Sequence, residues 1–359
     1  MIGCVLMHTP LLAQDKKKAP KPQPPVAAEK GGKLVYAVAA NGDRMPDYSY
    51  CGYMASDEAI PDVPVRVVVP VKPGDATLRI QSALNYVASL PAGKDGIRGA
   101  VLLNKGTYQV NGSLKINATG VILRGSGMGA NGTVLLAAGT DRATFIQVAG
   151  EDDRKKDEEI KITDAYVPVN AFTFHVASAN GLKAGDNLII RRPSTQKWID
   201  LLGTGTFGGG ISALGWKPGE QDIHWDRKIT AVNGNTVTID APLTTALDTT
   251  YGGGFVARYN WPGRISQVGI ENLCLNSAYD TANPKDEAHR WMAITIENTS
   301  DAWVRQVTFM HFAGSAVYVL PTANRVTVED CKSLVPVSEI GGQRRNTFWT
   351  MGGQTFFQR

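Results

Sequence analysis

The feature that most limits what this chain can become is an internal repeat in its last third. The spacing Val268-x-Ile270-x-x-Leu273-x-Leu275 returns as Ala302-x-Val304-x-x-Val307-x-Phe309 and again as Val326-x-Val328-x-x-Cys331-x-Ser333. The offsets are 34 and 24 residues, and the surplus of the first interval falls in the polar loop Ser277 to Arg290. A period of about 24, built of short β-type runs separated by turns, predicts coils of a parallel β-helix. One coil cannot bury its apolar face alone, so inward side chains of successive coils must stack. Outward pairs should stack as well: Glu271-Asn272, Arg305-Gln306 and Glu329-Asp330 would form an acid, base, acid column beside an amide-rich one. Cys331 takes the inward slot of Leu273 and Val307, whereas Cys274 is one step out of phase, so no disulfide joins them.

The rest of the chain is compatible with this all-β reading. From Pro73 the residues PGDATLRIQSALNYVASLP place Ile80, Ala83, Leu84 and Val87 on one face, with Asp75 as N-cap and Pro91 as the stop. After this amphipathic helix come the short runs Ala100 to Leu103, Thr107 to Val110, Leu114 to Ile116, Val121 to Leu123, Val134 to Leu136 and Thr144 to Val148. With 38 Gly and 19 Pro in 359 residues and only 19% charged residues, a helical bundle is disfavoured. Residues 151 to 263 differ: VASANGLKAGDNLIIRRP and KITAVNGNTVTIDAPL read as hairpin material, with a turn at Asn233-Gly234-Asn235. They flank a Gly-rich, Trp-containing loop from Lys197 to Trp225. The expected organisation is therefore an N-terminal cap and first coils over 34–150, an inserted β-rich subdomain or elaborated coils over 151–263, and further coils over 264–359. The charged run Glu151 to Glu159 is expected as a solvated loop.

PGDATLRIQSAL, then GAVLLNKGTYQVNGSLKI and TGVILRGSG, resemble the opening of right-handed parallel β-helix proteins of the pectate-lyase-like superfamily, and NRVTVEDCKS is similar to one of their later coils. The resemblance spans about residues 70–148 and 264–359. It implies a right-handed parallel β-helix with an N-terminal capping α-helix. It does not select a reaction, because the superfamily includes pectate lyases, polygalacturonases, epimerases, phage tailspikes and non-catalytic adhesin-like modules. Many relatives carry paired aspartates before the helix; this chain has only Asp75, and no enzyme signature can be transferred residue by residue.

The net charge of +4 resides in one segment, since Asp15 to Lys33 holds six Lys against two acidic residues. The remainder is balanced, which removes a bulk electrostatic case for nucleic acid. Mean hydropathy is -0.14 and no apolar run approaches ~20 residues, so no membrane-spanning helix is expected. Met1 to Gln14 reads as a truncated signal peptide, followed by a Lys/Pro-rich linker over 15–33, so a secreted, periplasmic or cell-surface protein is expected. Four Cys without a CxxC, three after cleavage, give no zinc site.

The candidate chemistry lies in the loop Ser277 to Trp291. Asp286 and Glu287 are candidate acid and base, or Ca2+ ligands together with Asp280; His289 and Arg290 are candidate bases, and His311 follows 22 residues after His289. Arg344 and Arg345, one coil further on, suit a uronate carboxylate. Trp291 and Trp225 are candidate sugar-stacking residues, with Trp198, Trp216 and Trp261 beside them. The patterns Gly127-x-Gly129-x-x-Gly132 and Gly203-x-Gly205-x-x-Gly208 do not open helices, which argues against a phosphate loop. These readings converge on a secreted lyase or hydrolase of an acidic, pectin-like polysaccharide. The alternative is a non-catalytic glycan-binding or surface-attachment module, and a tailspike ranks third because of the apolar leader. The ending, with Phe357 where Val304 and Val328 stand in their coils, predicts further coils beyond Arg359 and a monomeric full-length protein.

Overall fold

The computed structural model describes residues 24–29, 31–206, 214–342 and 344–359. The chain divides into two units, 1–45 and 46–359. In the first, Val26–Ala28 pairs antiparallel with Leu34–Tyr36, so a strand occurs within the stretch read as a linker. The leader, Met1 to Gln14, lies outside the described residues.

The second unit is a parallel β-helix whose coils contribute strands to three rows. The first row runs Val65–Val69, Gly99–Leu103, Val121–Arg124, Ile265–Ser277, Thr299–Met310, Asn324–Glu329, Phe356–Gln358, every neighbour parallel. The two long strands continue into a second row, flanked by Gly106–Val110 and Thr133–Ala137 on one side and Lys332–Leu334 on the other. The third row is Leu114–Ile116, Ile146–Ala149, Ile294–Glu297, Val317–Val319, Phe348–Thr350.

The register is that of the repeat: Val268 pairs with Ala302 and Ala302 with Val326, Ile270 with Val304 and Val304 with Val328, and Phe357 follows beside Val328. The corner between the first two rows explains the x-x in the repeat. Asn272, Gln306 and Asp330 have φ of 58°, 54° and 51°. A left-handed residue interrupts the strict alternation of a strand, so two outward residues separate two inward ones. Inward residues of the coils from Val69 to Val328 form one core with Ile80, Ala83, Leu84 and Val87 of α1 (Thr77–Ser89), which closes one end, whereas Phe348 and Phe357 of the last coil are more than a third exposed. Asp75 stands two residues before α1. Its Oδ1 accepts from the amides of Thr77 (2.9 Å) and Asn111 (3.2 Å), tying the helix start to a coil loop.

Between Ile146–Ala149 and Ile265–Ser277 the turn from third row to first is replaced by an antiparallel sheet, ordered Lys155–Lys156, Phe255–Asn260, Asn187–Arg192, Ile223–Asn233, Thr236–Ile239, Thr173–His175. It has its own core around Phe174, Leu188, Ile190, Ile229 and Val237. Gly234 (φ 57°) and Asn235 form the expected two-residue hairpin turn. Two local expectations change here. The charged run contains the strand Lys155–Lys156, and Arg191 binds the Glu159 carboxylate with both Nε and Nη2 (2.8 and 2.6 Å). The loop from Lys197 contains most of α2 (Gln196–Leu202), capped by Thr195; Gly208 lies outside the described residues. No helix among the described residues is long and apolar enough to cross a membrane.

Candidate functional site

The loop Ser277 to Trp291 is folded inward on its own polar groups. Both Asp286 carboxylate oxygens accept backbone amides, of Asp280 and Ala288 (2.9 Å each), which also hold its carboxyl below its usual range. Asp280 caps the amide of Ala282 (3.0 Å). With these oxygens turned to the backbone, Asp280 and Asp286 do not form a Ca2+ ligand set, and among the described residues no three His, Cys, Asp or Glu are grouped for a metal ion.

His289 is 1% exposed. Its Nε2 lies 3.1 Å from the carbonyls of Asp286 and Val337, so Nε2 carries the proton and Nδ1 accepts from Ser277 Oγ (2.9 Å). Arg290 is equally buried and donates to Asp141 and to the Asn111 carbonyl (2.7 Å), fastening this loop to earlier coils. Both side chains hold the coil together, out of reach of a polymer. His311 donates from Nδ1 to Asn276 Oδ1 (2.8 Å), beside the Tyr279 ring at 4.9 Å; burial lowers its basicity. Arg345 is spent on Ser338, donating to its carbonyl (2.7 Å).

Three expected residues do meet at the surface. Arg344 grips the Glu287 carboxylate, which Arg142 also reaches (3.3 Å), and both guanidinium groups lie against the Trp291 ring at 5.3 and 5.0 Å. Arg142 had no signal in sequence. Trp225 packs within the insert, donating to Thr244 Oγ1 (2.9 Å), and Trp198 pairs with Trp216.

A different constellation lies where the antiparallel sheet meets the third-to-first-row turns of the later coils. Strand Ile223–Asn233 buries Trp225, Arg227 and Ile229 on one face and presents His224 and Asp226 on the other, with Asp222 in phase just before it. These three line a cleft of about 440 Å³, with Arg154, Lys156 and Trp261 from the sheet and Pro321 to Ala323 and Met351 to Gly353 from the coil turns.

The two carboxylates are already committed. Asp222 accepts from Ser194 N (2.7 Å), Ser194 Oγ (2.9 Å) and Arg191 Nη1 (2.9 Å). Burial alone would raise its carboxyl, and these donors outweigh burial and hold it low. Asp226 accepts from Tyr259 Oη (2.6 Å) and Arg264 Nη1 (2.5 Å). His224 is exposed to the cleft; desolvation, only partly offset by Asp222, keeps its basicity below that of a free histidine. Among the described residues neither Arg154 nor Lys156 has a carboxylate partner; the Arg154 guanidinium stacks on Trp261 at 4.8 Å. The alternation Asp222-x-His224-x-Asp226 was the available sequence signal, hidden because these residues were read as the end of a loop rather than the start of a strand.

Neither a protein-family model nor a curated protein sequence matches the chain. Among solved structures it is similar to the tailspike protein gp49 of Pseudomonas phage LKA1 (17% identity, TM-score 0.37, covering 70% of this chain and 34% of that one). It is also similar to the tailspike gp61 of Pseudomonas phage phi297 (13%, TM-score 0.39, 76% and 41%). A third is the gp54 tailspike of Acinetobacter baumannii bacteriophage AP22, solved with a capsular saccharide (11%, TM-score 0.31, 73% and 44%). The chain thus spans less than half the length of each of these tailspikes.

Proposed function

We propose that this chain is an extracellular polysaccharide lyase that cleaves an acidic glycan in the cleft beside strand Ile223–Asn233. The observation that carries the reading is one cleft lined by an accessible histidine of lowered basicity and by two cations that form no ion pair with a carboxylate among the described residues. β-Elimination at a uronate needs these two functions. A cation offsets the sugar carboxylate so that the adjacent C5–H becomes acidic, and a base removes that proton. Arg154 and Lys156 supply the first, and His224 the second. The C5–H electrons form the C4=C5 double bond, the C4–O bond breaks, and the departing oxygen takes up a proton, which the imidazolium of His224 can return.

A hydrolase is less well supported. Asp222, just before the strand, and Asp226 on it accept hydrogen bonds from Ser194 and Arg191 and from Tyr259 and Arg264, so neither carboxylate is free to act as acid or nucleophile. The apolar leader and Lys/Pro segment support action outside the cell.

The test is incubation with purified uronate-containing polysaccharides, following the ultraviolet absorbance of unsaturated ends. The expected result is unsaturated product from the wild type and a loss of ~10²-fold or more in His224→Ala. Reducing ends without unsaturation, or binding without any product, would reject the lyase assignment.

A further inference from the structure

Beside the central cleft lies a second cavity of different character. This cavity, about 320 Å³, borders the cleft at His224, Asp226, Gly352 and Gly353, while Trp225 and Arg227 line it from the other face of the strand. Its walls include Tyr48, Tyr50, Trp225 and Pro242. Tyr48 is 62% exposed, and Tyr50 is braced edge-on against Phe172 with ring centroids 5.3 Å apart. Two charged side chains at this end do not suit an anion. Asp47 is itself acidic, and the buried Arg227 guanidinium is directed to the carbonyls of Ala241 (2.9 Å), Pro242 (2.9 Å) and Asp226 (2.8 Å). A uronate carboxylate placed here would lose water and meet aromatic rings and a negative charge. An uncharged sugar carrying a methyl or acetyl group would instead bury apolar surface against the tyrosines.

Resting on the cleft assignment above, we propose that the aromatic cavity is a subsite for a neutral 6-deoxy or N-acetylated sugar, so the substrate is a heteropolysaccharide in which such a sugar adjoins the uronate. The cavity rejects a second uronate and thereby sets specificity.

The experiment compares calorimetric binding of two oligosaccharides of equal length, one all uronate and one alternating uronate with N-acetylhexosamine. The proteins are the full chain, Tyr48→Ala and Lys156→Ala. The wild type should prefer the alternating ligand by about tenfold or more, the scale of one well-packed aromatic contact. Tyr48→Ala should bind both ligands alike, without change in thermal unfolding because the side chain is exposed. Lys156→Ala should weaken both. Equal wild-type affinity for the two ligands, or a preference that survives in Tyr48→Ala, overturns the subsite while binding to the cleft stands. Failure of either ligand to bind, or insensitivity of both to Lys156→Ala, overturns the cleft reading and the subsite with it.

Discussion

Replacing Glu271 by Gln should be among the most damaging single-atom changes in the β-helix. Glu271 is 2% exposed and its carboxylate joins three coils. Arg124 Nε, on the preceding coil, donates to Oε1 (2.5 Å); Trp303 Nε1 (3.0 Å) and Arg305 Nε (2.7 Å), on the following coil, donate to Oε2. Every partner is a donor, so the amide nitrogen of Gln must point at an N–H whichever way it is turned. Breaking a fully buried pair costs about 3–5 kcal/mol and an exposed one about 0–1. The arginine side chains are 16% and 23% exposed and regain some water, so about 3 kcal/mol is expected. Glu329→Gln is the control, since among the described residues its Oε2 accepts from the Gln358 amide alone (2.7 Å) and its loss should be within about 0.5 kcal/mol. Urea unfolding followed by circular dichroism reads the difference from midpoints at unchanged slope. A Glu271→Gln loss below about 1 kcal/mol would show that the column carries no such energy.

The acid limb of the kcat/KM profile should lie below the ordinary histidine range. The burial-lowered basicity of His224 keeps the imidazole neutral as pH falls past the free value, and activity is lost only through the lowered one; an acid limb at or above the free value would remove His224 as the base. His289→Ala should cost about 2 kcal/mol or more in urea unfolding, because it strands Ser277 and two buried carbonyls, and should leave the turnover of folded protein intact. A folded His289→Ala enzyme with turnover reduced ~10²-fold would return the loop Ser277 to Trp291 to the chemistry.

The coil architecture was legible in sequence because a β-helix repeats one local solution. The same inward spacing recurs at Val268, Ala302 and Val326, each copy constrained by its neighbour, so spacing alone implied register. The column Arg124, Glu271, Arg305, Glu329 follows from that register, though the sequence reading began it only at Glu271. Side-chain identity, by contrast, did not reveal which polar residues face solvent. Asp286, His289 and Arg290 have the composition of an active loop, yet their lone pairs and protons are spent on backbone and on coils distant in sequence. The cleft needed tertiary structure for the same reason. It joins Arg154, His224 and Met351, which no local period relates, and it exists because the antiparallel insert leaves the β-helix at one turn and comes to lie beside the turns of later coils. Periodic burial is written along the chain, whereas the meeting of two non-repeating surfaces is decided by packing.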